Sequence, residues 1–411
     1  VKLIHAADLH IDSPLRGLSV YEGAPAEELR TASRRALENL VQLAISESVN
    51  GVLLAGDIYD GDWPDFQTGL FFGKQMSLLR EQGIAVYLVS GNHDAQNKMT
   101  RRLPLPDNVR MLDVEEPETV RDEKVGLAVH GQGFPRWDIT DNLALGYPPP
   151  CRDLFNVGLL HTALNGRDGH NKYAPCTVDH LMGKGYDYWA LGHVHNREVV
   201  QEDPWIVFPG NIQGRHARET GPKGCTLVTV GDDLRVRSAI HHDLDVARWE
   251  HLRIDVSGAG DLDAVADLVQ VRLKGLPSGK LQAVRVSLVG RSSAHLRLWN
   301  GRHQFVNEVR SLANDLGDLW VEKVRIETRL PETPGEGTIG LLADLRRTAA
   351  ALRSDTTALH RMVTEDPLYP QLPLDVHNQD GIRPDDPEWL QRLGDDAIDL
   401  LESMLMEGRT R

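Results

Sequence analysis

Apolar and polar positions come in blocks along the first hundred residues. Leu3, Ile4, Ala6 and Ala7 dominate a first run over residues 2–7, which ends in Asp8-Leu9-His10. Leu37, Leu40, Val41, Ala44 and Ile45 then recur at helical spacing and predict a helix over residues 26–48. Gly51-Val52-Leu53-Leu54-Ala55 reads as a buried strand ending in Gly56-Asp57. A helix over 66–82 and a third apolar run, Ile84-Ala85-Val86-Tyr87-Leu88-Val89, lead to Ser90-Gly91-Asn92-His93-Asp94, expected as a loop. Strand, helix, strand, helix, strand is the order of a layered α/β domain. Each strand carries polar residues just past its C-terminal end, where ligands collect in such sheets.

From about Val109 the helical signal fades. Short strands are expected over 125–130, 156–160, 188–191, 205–208, 225–230 and 234–240, two of them again with polar ends: His161, and Gly192-His193-Val194-His195. The first domain is expected over 1–243. A small α+β module follows over 244–330, with strands over 252–256, 282–289 and 320–328 and helices over 264–274 and 302–314. The remainder, 331–411, opens on a Pro/Gly/Glu-rich linker. It holds an amphipathic helix over 339–363, a proline-rich stretch and a last helix over 389–406.

Length and composition narrow the class. With 411 residues the chain is too long for one ordinary core, and 41% hydrophobic with 26% charged residues is ordinary globular material. No apolar run is long enough for a membrane span, and the first residues lack the pattern of a signal peptide. Three scattered cysteines, Cys151, Cys176 and Cys225, argue against a disulfide scaffold and fit a reducing cytoplasm. A formal charge of −15 argues against a generally basic nucleic-acid coat, though divalent cations in an acidic site can themselves face phosphate.

The chemistry lies at the strand ends. Asp8, His10, Asp57, Asn92, His161, His193 and His195 form a ligand set for two transition metals. Side chains i and i+2 of an extended segment point the same way, so Asp8 and His10 can reach one ion. His193 and His195 can do the same or diverge to two ions. Asp57 stands alone, suited to bridging with one carboxylate oxygen for each ion. Mixed nitrogen and oxygen donors suit Mn, Fe or Zn better than Ca or Mg. Two ions roughly 3.5–4 Å apart would clamp a phosphate and activate a shared water for in-line attack. His93, next to Asn92 but differently directed, is the candidate to protonate the leaving oxygen, with Asp94 or another carboxylate holding its ring charged.

These five blocks, Asp8-x-His10, Gly56-Asp57, Gly91-Asn92-His93-Asp94, His161 and Gly192-His193-Val194-His195, resemble in order and spacing the motifs of the calcineurin-like metallophosphoesterases. Residues 7–14 and 209–216 are most similar to bacterial DNA-repair exonucleases of the SbcD and YhaO type, relatives of the eukaryotic double-strand-break nuclease. The resemblance implies an αββα sandwich with a small α+β capping domain and a helical C-terminal tail. It implies Asp8, His10, Asp57 and His195 at one ion, Asp57, Asn92, His161 and His193 at the other, His93 as acid, and manganese as the metal, with Fe2+ or Zn2+ as alternatives. It implies a DNA substrate and a separate Rad50/SbcC-like ATPase partner. Dimers are common in the group, so a homodimer is also an expectation. The alternatives are an enzyme for small phosphomonoesters, cyclic nucleotides or pyrophosphates, and a non-catalytic DNA-binding scaffold.

Around this core, Arg215 and His216 are candidates to touch substrate phosphate, and Arg101-Arg102 to meet a nucleic-acid backbone. His5 and His130 sit inside strands and are expected to be structural. Asp12, Asp60 and Asp94 are expected to support the site or lie at the surface rather than ligate. His170 and His180 are expected in loops.

Overall fold

The computed structural model describes residues 1–15, 24–60, 66–96, 105–164, 173–331, 347–348, 351–352, 355–371 and 382–407. Arg101, Arg102 and His170 lie outside the described residues.

The chain begins β1 (Lys2–Ala6), α1 (Ala26–Ser46), β2 (Gly51–Ala55), α2 (Gln67–Glu81), β3 (Ala85–Val89), a short α3 (Asn92–Gln96) and β4 (Val109–Met111). It continues with β5 (Glu118–Asp122), β6 (Leu127–Gly131), β7 (Phe155–His161), α4 (Val178–Met182), β8 (Tyr188–Gly192), β9 (Glu198–Glu202), β10 (Trp205–Phe208), β11 (Gly224–Val230) and β12 (Val236–Asp243). Two six-stranded sheets result, ordered β12-β11-β1-β2-β3-β4 and β5-β6-β7-β8-β10-β9. β1, β2, β3 and β4 run parallel, as do β6, β7, β8 and β10.

The period-two alternation of each strand decides the layers. In the first sheet Leu3, Leu53, Tyr87 and Val89 point inward, against Val129, Phe155, Val157, Leu159, Tyr188 and Ala190 of the second. Their neighbours Ile4, Ala6, Val52, Leu54, Val86 and Leu88 point outward, against Leu37, Leu40, Val41 and Ala44 of α1 and Phe72, Met76 and Leu79 of α2. Both faces of β1, β2 and β3 are thus apolar, which is why they read as unbroken runs. The outer face of the second sheet places Trp189, Leu191, Ile206 and Phe208 against Tyr147 and against Leu181 of α4. Burying each such side chain stabilises the fold by about 1.5–3 kcal/mol. The expected mixed α/β sandwich, two sheets with helices on their outer faces, is the fold observed.

Three strands were not anticipated: β4, β5 and β9, each at the edge of its sheet. Edge strands bury little, and Glu118–Asp122 and Glu198–Glu202 carry no apolar run. α4 leaves no periodic signal in the sequence either, since five residues are too short a window.

Next come β13 (Ala247–Asp255), α5 (Leu262–Lys274), β14 (Leu281–Arg291), α6 (His295–Asn300), α7 (Arg302–Asn314) and β15 (Leu319–Arg329), with the three strands forming one sheet ordered β13-β14-β15. The chain folds into two compact units. One is Val1–Leu252 with Leu273–Val286 and Arg310–Val324; the other is Arg253–Arg272 with Ser287–Val309 and Arg325–Arg411. The second unit buries Val265 and Val269 of α5, Leu288, Leu298 and Phe305. It ends in α8 (Thr356–Thr364) and α9 (Pro387–Glu407), where Gly394 lies against Leu359. Most of the expected linker and residues 339–346, 349–350 and 353–354 of the helix expected over 339–363 lie outside the described residues; Asp355 precedes α8 and caps it by accepting from the Ala358 amide. Among the described residues no helix is long and apolar enough to cross a membrane.

Candidate metal centre

All the polar strand ends meet at one edge of the sandwich, in the first unit. After β1 the chain follows the end of β2: the amides of Asp8 and His10 donate to the carbonyls of Gly56 and Asp57, both at 3.0 Å. Asp8, His10, Asp57 and His193 all adopt positive φ, at 51°, 42°, 52° and 101°, although none is glycine. Such conformations cost of order 1–3 kcal/mol each and persist only where the surroundings dictate them. The backbones also approach closely. A Cβ at Gly91 would collide with the Asp57 carboxylate, and one at Gly192 with the Ala55 carbonyl.

Ser90–Asp94 was expected as a loop; from Asn92 on it is the first turn of α3. Successive side chains on a helix diverge by about 100°. Asn92 accordingly turns its amide oxygen to His161 Nε2, at 3.0 Å, while His93 turns Nδ1 to Asp60, at 2.8 Å. The carboxylate that holds His93 is therefore Asp60, not Asp94. Asp94 is buried and accepts from the amides of Gly91, Ile58 and Tyr59, tying the β2 and β3 ends together.

Two donor groups converge. In one, His195 Nε2 lies 3.3 Å from His10 Nε2 and 3.8 Å from Asp8 Oδ1. In the other, His161 Nε2 lies 3.5 Å from Asp57 Oδ2 and 3.0 Å from Asn92 Oδ1. The His193 ring is 5.2 Å from that of His161, and its amide donates to Asp8. Asp57 Oδ2 is also 3.9 Å from His10 Nε2, so one oxygen faces both groups. Its other oxygen, Oδ1, accepts the His93 amide at 2.9 Å.

The donor chemistry fits cations. His161 Nδ1 lies 2.9 Å from the Ala55 carbonyl, to which only an N–H can bond. Burial pushes its pKa down to about 3, partly offset by that hydrogen bond, so the ring is neutral and its Nε2 is a lone pair. That lone pair faces the Asn92 amide oxygen and the Asp57 carboxylate. Burial, and for Asp8 the neighbouring Asp57 charge, also raise the pKa values of both carboxyl groups. An imidazole lone pair packed against an amide oxygen and a carboxylate is an arrangement that a divalent ion reconciles. Among the described residues, three Asp/His groups have donor atoms close enough for an ion: Asp8, His10 and His195; Asp8, Asp57 and His161; and His10, Asp60 and His93.

Arg215 lies beside this centre, with Nη1 3.2 Å from Asp60 and Nη2 3.2 Å from Glu219. His216 is 55% exposed and meets Glu219 at 3.6 Å rather than the donor groups. Glu219 stands outside every sequence motif of the site. It is buried, and its Oε1 accepts from His195 Nδ1 at 2.7 Å. No metal-ligand motif contains it; the only local hint is its spacing four residues from Arg215. Asp12 is bound bidentately by Arg34, at 2.7 and 2.6 Å, and supports the β1 end from outside. His5 bridges the Tyr188 hydroxyl and the Leu191 carbonyl, and His130 sits between Thr119 and Asn156, both structural as expected. His180 belongs to the capping box of α4 and stays away from the centre.

Buried Asp and His donors at the strand ends of two facing sheets define a hydrolase of the dimetal phosphoesterase class. The sequence family described as calcineurin-like phosphoesterase matches residues 1–197, and that described as the middle domain of metallophosphoesterase YhaO matches residues 249–329. The uncharacterized metallophosphoesterase YhaO of Bacillus subtilis (strain 168) is 36% identical over 284 residues, covering 67% of this chain and 69% of the relative. The DNA double-strand break repair protein Mre11 of Sulfurisphaera tokodaii is 23% identical over 259 residues, 59% of this chain and 63% of the relative. Mre11 of Methanopyrus kandleri is 25% identical over 231 residues, 51% of this chain and 48% of the relative. The chain belongs to the calcineurin-like metallophosphoesterases. It spans less than two thirds of the length of either Mre11 relative.

Proposed function

We propose that this chain is a two-metal DNA nuclease that hydrolyses phosphodiester bonds as an exonuclease in DNA repair, with Mn2+ as its metal. The carrying observation is the convergence of Asp8, His10, Asp57, Asn92, His161, His193 and His195 from both sheets, with His93 held beside them by Asp60. Asp8, His10 and His195 would hold one ion, Asn92, His161 and His193 the other, and Asp57 both. The ions would supply charge to clamp the phosphate and activate a water. Polymeric DNA is favoured over a small ester by the likeness to proteins named for double-strand break repair.

His93 does the proton work in this reading. Its Nδ1 is held by Asp60, which leaves Nε2 as the atom that can protonate the leaving oxygen. Burial lowers the pKa of the ring, but the hydrogen bond to Asp60 and the charges of Asp57 and Asp60 outweigh it, and the net shift is upward. The ring therefore carries its proton nearer neutrality than a free imidazole would. Exposed His216 is the substrate contact we retain at the rim. A Rad50/SbcC-like ATPase partner and a homodimer complete the proposal, both resting on the group the chain resembles.

The test is hydrolysis with Mn2+ of single-stranded DNA, duplex DNA and bis-p-nitrophenyl phosphate. Asp57→Ala should lose both metal and activity. His93→Ala should keep its metal and lose about 10²–10⁴-fold in turnover. Efficient cleavage of the small ester with no cleavage of DNA under any metal or partner condition sinks the nuclease reading.

A further inference from the structure

Three side chains, Glu219, Arg215 and Asp60, link His195 to His93 across the candidate centre. His195 Nδ1 meets Glu219 Oε1 at 2.7 Å. The same oxygen takes Arg215 Nη2 at 3.2 Å, and Oε2 takes the Arg215 amide at 2.7 Å and Asn211 Nδ2 at 3.0 Å. Arg215 Nη1 continues to Asp60 Oδ2 at 3.2 Å, and Asp60 Oδ1 holds His93. Around His195, the carbonyl oxygen is held by Lys223 Nζ at 2.9 Å and by the Asn211 amide at 3.3 Å. Glu219 is 4% exposed, so its bonds are shielded from water.

We propose that Glu219 is the positioning residue of the centre: its carboxylate fixes His195 with the proton on Nδ1 and the Nε2 lone pair toward Asp8 and His10, and through Arg215 it ties that ligand to the Asp60–His93 pair. The inference rests on the dimetal reading and adds to it a residue that touches neither ion nor substrate. The physical reason is geometric. Neutral imidazole has two tautomers, and only the one protonated on Nδ1 leaves Nε2 able to ligate. A buried acceptor at Nδ1 selects that tautomer and fixes the ring plane. A carboxylate does this better than a carbonyl, because its second oxygen and its charge also anchor Arg215. Both ends of the Arg215 guanidinium are thereby engaged by carboxylates, which makes it a strut between Glu219 and Asp60.

The test compares wild type, Glu219→Ala and Glu219→Gln in the full chain, with two readouts besides activity. The first is Mn2+ binding by titration calorimetry with metal counting. Wild type should bind two ions, and Glu219→Ala should weaken one of them by about 10–100-fold and spare the other. The second is 15N NMR of histidine-labelled, metal-free protein, with the His195 signal assigned from His195→Gln. Wild type should show the Nδ1-protonated tautomer, Glu219→Ala should lose it, and Glu219→Gln, whose amide oxygen still accepts, should keep it. Should Glu219→Ala fail to fold, Glu219→Gln decides alone, through a smaller but measurable loss at the same ion. Folded variants that bind both ions as tightly as wild type overturn the proposal, as does an Nδ1 tautomer that persists in Glu219→Ala. A wild-type chain that binds no divalent ion overturns the dimetal reading instead, and the tautomer still decides the role of Glu219.

Discussion

Asp94 offers the sharpest test of how the centre is assembled. Its two oxygens accept three backbone amides: Tyr59 on Oδ1 at 3.0 Å, and Ile58 and Gly91 on Oδ2 at 3.2 and 3.0 Å. Burial, then the charge of Asp57, push this carboxyl up to about 7, against the pull of the three amides. It therefore sits there for its acceptors rather than for its charge. Asp94→Asn can keep its oxygen facing Ile58 and Gly91, but it then turns an NH2 toward the Tyr59 amide. One buried donor left unsatisfied costs about 1–3 kcal/mol. Asp94→Ala orphans all three donors. Water entering the vacated space would satisfy some of them, so the expected loss is about 3–5 kcal/mol rather than three full penalties. Urea unfolding gives the order wild type, Asn, Ala. Hydrogen exchange localises it, with Tyr59 losing protection in both variants and Ile58 and Gly91 only in Ala. An Ala variant within about 0.5 kcal/mol of wild type, the scatter of ordinary surface substitutions, with all three amides protected refutes the reasoning.

Two further outcomes follow from the same contacts. Asp60→Asn can still accept from His93 Nδ1 but drops the charge that raises its pKa, so turnover should fall about 10-fold or more with metal content unchanged. The acid must carry its proton, so the alkaline limb of the rate profile should move to lower pH; an unmoved limb removes Asp60 from the mechanism. For stability, burial pushes the pKa of His5 down to about 3, against a weaker upward pull from its bond to the Leu191 carbonyl. The folded value lies below the ~6.5 of an unfolded chain, so its contribution is intact above that pH and is lost as the pH falls toward 3. The urea midpoint should decline over this window, and less steeply in His5→Gln, which gains no proton; equal slopes in both proteins refute the assignment.

The strands that carry the site were legible because they are interior. β1, β2, β3, β7 and β8 are apolar on both faces, so their runs and their polar ends stand out from any register. β4, β5 and β9 went unseen for the opposite reason, since an edge strand need bury only part of one face. Within the site, the candidate ligands could be picked out because each is a carboxylate, imidazole or amide side chain just past an apolar run. Their supports could not. Asp60, three residues past Asp57, is open between support and surface, and Glu219 follows a turn-rich segment between β10 and β11; only the fold brings them to His93 and His195. The same limit left the partner of His93 open between Asp94 and another carboxylate: the helical turn at Asn92 directs Asp94 back to the β2 end, and Asp60 takes the role.

Where Gly192 meets the Ala55 carbonyl, the two sheets all but touch, whereas sheets packed face to face commonly stand about 10 Å apart. The sandwich thus works as a caliper whose jaws close at the catalytic edge. Asp8, Asp57 and Asn92 ride on one jaw, and His161, His193 and His195 on the other. Tyr87, Phe155 and Val157 fill the space deep between the sheets, so residues remote from the donor groups help set how closely the two sets of candidate ligands approach.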